Sequence, residues 1–490
     1  MVVRDQHHAT EPAPDRRRRI RAALSWLPEL LVVLLVVAAG ANLRFDLDER
    51  WLGLDHADAD REPAAVLPPA GLDLAAGAPA PPVAAPASNG ALDPVAVRRA
   101  VAAYLEHPSL GRRLDVVVSE LGTGTVVYRR SVGPVVPAST TKLLTGVAVL
   151  AELGPETRFR TTVRRTPDGR IALVGGGDPF LATSKSAARG LYPPRATLDR
   201  LAVRTAAALS RQGLRSIRLA HDDSLFAGPT VNPAWPATYL PENVVPPITA
   251  LWTDQGEVDD RYVADPSRHA AVTFAKALVR HGITVRGTSV PVVTSTTDPE
   301  LAAVESAPLG QIVERMIAVS DNNAAEVLAH HLGLALRQDG SFSGGAAATM
   351  EVLRQLGVDT TGSVLYDGSG LSRRNRLTPR TLLDVLQLAA SDRHPQLRKV
   401  LTGLPVAGFT GSLQWRFDDG PAEALGRVRA KTGTLTGVHG LAGVVTDLGG
   451  NQMAFVAIAD RVPAGEGLAA QRQLDLIAAS LAACACGPTS

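Results

Sequence analysis

The sequence of 490 residues predicts an α+β fold, in which helices pack on an antiparallel sheet and a smaller domain is inserted. A hairpin pattern, Leu114–Ser119 and Thr125–Arg129, is followed directly by a helix pattern. A second hairpin pattern, at 441–446 and 452–459, precedes the last helix pattern. Residues 156–300 differ from both regions, with short strand-like pieces between helix patterns. We therefore expect one sheet whose first and last strands come from opposite ends of the chain.

Charge and cysteine content exclude several kinds of site. The chain has 50 basic and 48 acidic residues and a formal net charge of +2 at pH 7, so we expect no nucleic-acid partner. Its two cysteines, Cys484 and Cys486, lie in a predicted tail of residues 483–490. Cysteines with one residue between them rarely form a relaxed disulfide, and a zinc site needs more ligands. We interpret both as tail residues.

The N-terminal region carries the pattern of an export signal. Arg16–Arg19 precede an apolar segment, 22–43, that is long enough to span a bilayer. The basic flank predicts that residues 1–21 stay in the cytoplasm and that the rest of the chain is extracytoplasmic. Ala39–Ala41 also resembles a signal-peptidase site, so a membrane signal-anchor and a cleaved signal peptide both remain open. Residues 44–95, rich in proline and alanine, predict a linker.

The remaining residues are divided by the insertion. Residues 96–155 and 301–482 are predicted to form a catalytic domain, and residues 156–300 an inserted domain. Helix patterns at 197–212 and 265–282 alternate with strand-like runs inside the insertion.

The segment PASTTKLLTG contains a candidate nucleophile and its base. Ser139 and Lys142 stand three positions apart at the start of a predicted helix, which places the hydroxyl and the amine on one face. A serine hydroxyl is a weak nucleophile at neutral pH, and a lysine kept neutral by burial can activate it. The pattern is common by chance, so its value depends on the rest of the sequence.

Two further motifs follow in the chain. Ser320 and Asn322 lie where a helix pattern over 309–319 breaks before it resumes. Lys431–Gly433 lie on a predicted strand. Each motif is common alone, but this order on a helix start, a helix break and a strand is the signature of penicillin-recognising serine enzymes.

The chemistry of acyl transfer predicts a role for each polar residue. Ser139 attacks a carbonyl to form an acyl-enzyme, and Lys142 accepts its proton. Ser320 relays this proton to the leaving amine, while Asn322 holds Lys142 and the substrate amide. These four residues are the predicted catalytic residues.

The strand motif is predicted to bind substrate. Lys431 supplies a positive charge for a substrate carboxylate. The backbone N–H groups of Ser139 and Thr434 form the predicted oxyanion hole. Thr432 belongs to the same binding strand, and Gly433 leaves room for close approach.

The chain resembles the D-alanyl-D-alanine carboxypeptidases and endopeptidases of the penicillin-binding protein 4 type, peptidase family S13. The resemblance covers about residues 95–482 and includes the long separation of Ser139 from Ser320. It also includes five segments, namely GGGDP (Gly175–Pro179), ITALWTDQG (Ile248–Gly256), YDGSGLSRRNRLTP (Tyr366–Pro379), LPVAG (Leu404–Gly408) and KTGTLTGVHGLAG (Lys431–Gly443).

The resemblance implies a penicillin-binding, serine β-lactamase-like transpeptidase domain with a reduced insertion. It implies hydrolysis of the terminal D-Ala–D-Ala bond of peptidoglycan stem peptides, with β-lactam antibiotics as covalent inhibitors and no metal or organic cofactor. The balance between carboxypeptidase and endopeptidase action stays open.

Two alternatives compete with this function. A class A serine β-lactamase needs a glutamate that activates the deacylating water, and the corresponding loop, Tyr366–Pro379, contains Asp367 but no glutamate. A non-catalytic, membrane-tethered binder of the cell wall has no need of a paired nucleophile and base, which Ser139 and Lys142 supply.

Several other residues have simple structural interpretations. Asp178 is predicted to cap a turn, and His330 and His331 to pack or face solvent. Arg376 either binds substrate or braces its loop. The tryptophans considered as core or loop anchors are Trp235, Trp252 and Trp415.

Overall fold

The computed structural model describes residues 91–488. Their β-strands, five of which have only two residues, are β1 (Leu114–Glu120), β2 (Val126–Arg130), β3 (Arg160–Arg165), β4 (Ile171–Val174), β5 (Ser216–Ile217), β6 (Leu219–Asp222), β7 (Glu257–Val258), β8 (Arg261–Tyr262), β9 (Thr284–Val285), β10 (Val290–Pro291), β11 (Glu300–Glu305), β12 (Val428–Leu435), β13 (Val438–Thr446) and β14 (Gln452–Ala459). The α-helices are α1 (Pro94–Ala102), α2 (Thr141–Leu153), α3 (Lys185–Ala188), α4 (Leu198–Arg211), α5 (Pro266–Arg280), α6 (Leu309–Ala318), α7 (Asn322–Arg337), α8 (Phe342–Gln355), α9 (Pro379–Ala390), α10 (Arg398–Thr402) and α11 (Gly467–Ala482).

The first sheet joins the two ends of the described chain. Its strands lie in the order β12, β13, β14, β1, β2, and every neighbouring pair is antiparallel. The predicted sheet with strands from opposite ends of the chain is confirmed. The arrangement places β12, which carries the third motif, at an edge of the sheet.

Helices cover both faces of this sheet. α1 and α11 pack on one face. α9 packs on the other face, as part of a core built around α2. The side chains of β1 alternate accordingly. Val116 and Val118 pack in the core under α1 and α11, and Val117 packs in the core around α2. The all-buried pattern of β1 follows from this position between two helical layers.

The helix that follows the first motif is α2. Ten of its residues, from Thr141 to Leu150, are buried, which is expected of a helix in the middle of a core. It ends at Gly154, whose φ of 80° suits glycine and whose N–H closes the last turn on the Leu150 carbonyl oxygen.

A second five-stranded sheet lies between the first motif and the second motif in the sequence. Its order is β10, β6, β4, β3, β11, with parallel pairs on one side of β4 and antiparallel pairs on the other. α4 and α5 pack against it around a separate core. The sheet spans the predicted insertion, 156–300, and five residues beyond. All described residues belong to one compact unit, so the division into two domains stays a prediction.

The C-terminal cysteines differ from the interpretation as tail residues. Cys484 and Cys486 form a disulfide with a Cα–Cα distance of 5.3 Å. Cys486 is buried, its N–H donates to the Asp447 carboxylate, and its carbonyl oxygen accepts from the N–H of Asp93. These contacts fix the segment against the N-terminal end of α1, which the spacing of the cysteines could not indicate.

The predicted export signal and linker, residues 1–21, 22–43 and most of 44–95, lie outside the described residues. Within 91–488, no helix combines the length and the apolar character that a membrane span requires.

Candidate active site

The candidate nucleophile lies immediately before α2. Ser139 is the middle residue of a 3₁₀ turn, Ala138–Thr140, that leads into the helix. Ala138 has a φ of 47°, which is uncommon outside glycine, and its carbonyl oxygen accepts from the Thr141 hydroxyl at 2.9 Å. Gly370 packs so closely here that a Cβ on it would lie 1.9 Å from the same oxygen. The turn is therefore fixed on both sides of the serine.

The Lys142 amine is the centre of the site. It is fully buried and donates hydrogen bonds to the Ser139 hydroxyl at 2.9 Å, the Asn322 side-chain oxygen at 2.7 Å and the Ser369 carbonyl oxygen at 2.7 Å. A neutral amine in the same place could accept the Ser139 proton, because the two groups already lie at hydrogen-bond distance.

The surroundings of Lys142 favour a base that is effective near neutral pH. Burial lowers the pKa of Lys142 from 10.5 to about 8, because the charged ammonium loses its water. The carboxylates of Glu326, Asp367 and Asp321 oppose this shift in that order. A substantial neutral fraction is therefore available at moderate pH.

The rate of acylation should rise with pH through about 8. Lys142 must be neutral to accept the Ser139 proton, and its neutral fraction grows as pH rises through its pKa, which lies at about 8. Second-order rate constants for labelled penicillin, measured from about pH 6 to pH 10, would test this. A rate that is flat or falls across that range contradicts the assignment; a Ser139→Ala protein corrects for non-specific labelling.

The second motif forms the break between α6 and α7. Ser320 adopts a φ of 61°, and the Asp321 side chain caps α7 by accepting from the N–H of Ala324. Asn322 is the first residue of α7, and this position directs its side-chain oxygen to the Lys142 amine. The predicted helix break thus coincides with the second motif.

The third motif places a second buried amine beside the first. Lys431 on β12 donates to the Ser320 hydroxyl and to the Thr432 carbonyl oxygen, both at 2.8 Å. Burial, followed by the positive charges of Lys142 and Arg416, lowers its pKa well below the ordinary value. A Cβ on Gly433 would lie 2.8 Å from the Pro137 carbonyl oxygen, so the strand lies directly against the turn of the nucleophile.

The structure thus brings together the predicted side chains of all three motifs. Ser139, Lys142 and Asn322 form one hydrogen-bonded group, and Ser320 with Lys431 forms the other. Thr432 contributes its carbonyl oxygen to Lys431 and its hydroxyl to Ser412 at 2.9 Å. Thr434 lies on β12, paired with His439, and its role in an oxyanion hole with the Ser139 N–H stays a prediction.

Sequence reasoning missed a contact from the inserted region to the second motif. Gln255, with a φ of 56°, donates its side-chain amide to both carboxylate oxygens of Asp321, at 2.9 and 3.1 Å. Tyr262 accepts from the amide of Asn323 at 3.3 Å. Gln255 belongs to a segment quoted for the family resemblance, but nothing in the local sequence indicates that it reaches Asp321.

The residues with simple interpretations behave largely as predicted. Asp178 is buried and caps its turn by accepting from the N–H of Phe180, and burial raises its pKa to about 7. His331 stacks on Phe159, and the Nδ1–H group of His330 donates to the Glu326 carbonyl oxygen inside the core. Arg376 braces its own loop, since it donates to the carbonyl oxygens of Arg373 and Asn375.

The three tryptophans divide into two kinds. Trp235 donates to the Asp367 carboxylate, and Trp252 donates to the Asp178 carbonyl oxygen; both are buried anchors, as predicted. Trp415 is 84% exposed, so its interpretation as an anchor was wrong. It lies on the loop that follows a 3₁₀ turn, and its indole is outside the core. The guanidinium of the next residue, Arg416, donates to the Asp475 carboxylate.

Comparisons with known proteins identify the family. A family model described as the D-Ala-D-Ala carboxypeptidase 3 (S13) family matches residues 97–262 and 259–481. The chain belongs to this family. The two matched ranges include all three motifs, and they confirm the family predicted from the sequence.

Three curated relatives align with most of this chain. A carboxypeptidase of Mycobacterium tuberculosis is 35% identical over 433 residues, which cover 84% of this chain and 90% of the relative. Carboxypeptidase DacB of Mycolicibacterium smegmatis is 33% identical over 486 residues, covering 97% and 99%. A D-alanyl-D-alanine carboxypeptidase of Actinomadura sp. is 31% identical over 442 residues, covering 71% and 78%. The predicted enzyme class, a serine-type D-Ala-D-Ala carboxypeptidase, is confirmed.

Solved structures confirm the predicted fold class of the S13 chain. Penicillin-binding protein 4 (dacB) from Haemophilus influenzae matches with a TM-score of 0.65 at 22% identity, over 79% of this chain and 98% of that one. The same protein complexed with a β-lactam matches with a TM-score of 0.60, again at 22% identity, over 78% and 98%. The architecture is therefore the α+β fold of penicillin-binding proteins.

Proposed function

We propose that this carboxypeptidase removes the terminal D-Ala of peptidoglycan stem peptides through an acyl-enzyme on Ser139. The observation that carries this proposal is the fully buried Lys142 amine at 2.9 Å from the Ser139 hydroxyl. A nucleophile and a base of lowered pKa at this distance are what acyl transfer by serine requires.

Acylation uses the first hydrogen-bonded group. Neutral Lys142 takes the hydroxyl proton while Ser139 Oγ bonds to the carbonyl carbon of the penultimate D-Ala. The C–N bond to the terminal D-Ala then breaks, and the proton passes through Ser320 to the leaving amine. Ser320 is suited to this step because its hydroxyl oxygen accepts from Lys431 and its own proton stays available to donate. Free D-Ala departs, and Lys142 is neutral again.

Deacylation repeats the proton transfer with water in place of the serine. Water loses a proton to Lys142 as its oxygen bonds to the ester carbon, and Ser139 Oγ leaves and regains a proton from Lys142. Asn322 keeps the amine in place during both halves, since it accepts one of its three hydrogen bonds. The released product is the shortened stem peptide.

Lys431 is proposed to bind the carboxylate of the terminal D-Ala. Its pKa is lowered well below the ordinary value, mainly by burial. A carboxylate beside the amine favours the charged form, so substrate binding should restore the charge and take up a proton. The binding energy is then specific for substrates that end in a free carboxylate.

Amidation of the terminal D-Ala should separate the role of Lys431 from a structural one. We expect the amidated model peptide to react much more slowly than the free acid with the wild-type enzyme. In a Lys431→Ala variant the free acid should lose most of its advantage, because the recognising charge is gone. Release rates for both peptides give the comparison. Equal discrimination by both proteins would show that Lys431 does not read the carboxylate.

The fates of two acyl-enzymes test the proposed function against the β-lactamase alternative. A peptide acyl-enzyme loses D-Ala and leaves room for water, whereas the opened penicillin ring stays attached to the acyl group. The loop Tyr366–Pro379 contains no glutamate to activate a water around it. Peptide turnover should therefore be continuous, while the penicilloyl adduct persists far longer than one peptide turnover.

Intact-protein mass spectrometry after removal of excess penicillin, run beside a D-Ala release assay, distinguishes these outcomes. Rapid loss of the adduct with repeated penicillin hydrolysis, and no D-Ala release, would favour a β-lactamase. A wild-type protein that forms no adduct and releases no D-Ala would favour the non-catalytic binder. Cross-linked muropeptides in the same assay would reveal endopeptidase action.

We further propose that the N-terminal segment exports this enzyme to its cell-wall substrate. Residues 22–43 are apolar behind a basic flank, and this pattern supports a signal-anchor or a cleaved signal peptide. N-terminal mass analysis of the protein from membrane and soluble fractions distinguishes the two. A mature protein that begins after Ala41 supports cleavage, and an intact membrane-bound chain supports an anchor.

A further inference from the structure

Glu326 is a buried carboxyl group that the proposed mechanism does not use. It lies on α7, four residues after Asn322, so the two side chains leave the same face of the helix. Its exposure is 0%, although glutamate is rarely buried without specific partners. Its position next to the catalytic group therefore requires an explanation.

Both carboxylate oxygens of Glu326 bind the backbone of a single loop. One accepts from the N–H of Gly368 at 3.1 Å, and the other accepts from the N–H of Ser369 at 2.8 Å. The carbonyl oxygen of Ser369 accepts from the Lys142 amine at 2.7 Å. A continuous series of contacts thus runs from Glu326 through one peptide segment to the base.

The same loop is fixed by further polar contacts. The Asp367 carboxylate accepts from the N–H groups of Gly370 and Ser372, and the Thr145 hydroxyl donates to the Gly368 carbonyl oxygen at 2.6 Å. Gly368 also packs against α7, since a Cβ on it would lie 2.6 Å from the Ala329 Cβ. The loop can approach α7 closely enough to bind Glu326 only because this position is glycine.

We propose that Glu326 is a positioning residue for Lys142: it holds the Gly368–Ser369 backbone so that the Ser369 carbonyl oxygen directs the amine toward Ser139. This inference rests on the proposed function, in which Lys142 is the base. Glu326 does not act as the base for a deacylating water, because both of its oxygens are occupied by N–H donors and neither is exposed.

The charge of Glu326 also acts on the base. The groups whose charges reach Lys142 are the carboxylates of Glu326, Asp367 and Asp321, and the positive charge of Lys142 in turn lowers the pKa of Lys431. Among these acids, Glu326 raises the pKa of Lys142 most. Burial and the neighbouring Asp367 raise the pKa of Glu326 itself to about 8. Because Glu326 ionises in the same pH range as Lys142, we expect its removal to lower the pKa of Lys142.

A Glu326→Gln variant tests both effects in one measurement. The amide keeps the volume but turns an N–H₂ group toward one of the two N–H donors, so the loop loses a contact. We expect the maximal acylation rate by labelled penicillin to fall about 10- to 100-fold, as for a misplaced catalytic group. The acid limb of the pH–rate profile should move to lower pH, because the opposing negative charge is gone.

A Gly368→Ala variant separates position from charge. The added methyl group would lie 2.8 Å from the Ala325 carbonyl oxygen and displace the loop, while the Glu326 carboxyl group is retained. We expect a similar fall in the maximal rate with a smaller movement of the acid limb. Glu326→Asp keeps the charge on a shorter chain, and it should also keep the limb near its wild-type position.

The outcomes are distinguishable with one control. Glu152→Gln removes an exposed carboxylate from α2 and should leave both rate and limb unchanged. If the rate of Glu326→Gln falls but the acid limb of its pH–rate profile does not move, Glu326 has only a structural role. A wild-type acylation rate in folded Glu326→Gln or folded Gly368→Ala overturns the proposal. Thermal unfolding verifies folding, and Gly368→Ala carries the test if Glu326→Gln does not fold. Absence of acylation in the wild-type protein would contradict the proposed function instead.

Discussion

A Ser139→Ala protein is expected to form no covalent adduct with labelled penicillin and to release no D-Ala from model peptides. The substitution removes the only atom that can bond to the carbonyl carbon in the proposed mechanism. Lys142 keeps its hydrogen bonds to Asn322 and Ser369, so we expect the free energy of unfolding to change by only about 1 kcal/mol. Gel fluorescence or intact-protein mass spectrometry measures the adduct.

The control for this variant is a serine outside the site. Ser343→Ala removes an exposed hydroxyl near the start of α8 and should acylate at the wild-type rate. Stoichiometric labelling of Ser139→Ala would show that another residue is the nucleophile. A thermal transition close to that of the wild type verifies that the loss is chemical.

Replacement of Lys142 by alanine should reduce acylation at least roughly a hundredfold, which is the usual cost of losing a general base. The effect should appear in the rate constant for acylation rather than in the amount of folded protein. Because the side chain is fully buried, alanine also leaves a cavity. A Lys142→Met variant fills most of this space without an amine and should be equally slow.

Two further results decide how the loss is interpreted. Lys185→Ala, which removes an exposed lysine on α3, should retain the wild-type rate. Both Lys142 variants should also lose the rise in rate through about pH 8 that the neutral amine produces. Near-wild-type acylation by Lys142→Met would exclude Lys142 as the base and favour a different proton acceptor.

The insertion contributes more to this site than its sequence indicates. Gln255 binds both oxygens of Asp321, the residue between Ser320 and Asn322. Asp321 also caps α7, the helix that carries Asn322 and Glu326. The inserted region therefore stabilises the second motif, and this contact joins residues that are 66 positions apart in the chain.

The sequence by itself determined the local elements and the order of the motifs. The start of α2 at the first motif and the break at Ser320–Asn322 depend on residues within a few positions of one another. The hairpins at both ends of the described chain follow from alternation and turn residues in the same way. These features were predictable because their causes are local. The fold class followed from their order, and the family followed from the resemblance of the motifs and quoted segments.

The tertiary structure alone decided which groups meet at Lys142 and what its amine can do. Asn322 and Ser369, its partners, lie 180 and 227 residues away in sequence, and no local pattern specifies such contacts. The pKa of about 8 results from burial inside the assembled core, which no local pattern of residues can supply. Glu326 was missed for the same reason: on α7 it is an ordinary helical glutamate, and it becomes part of the site only when a loop 42 residues later packs against it.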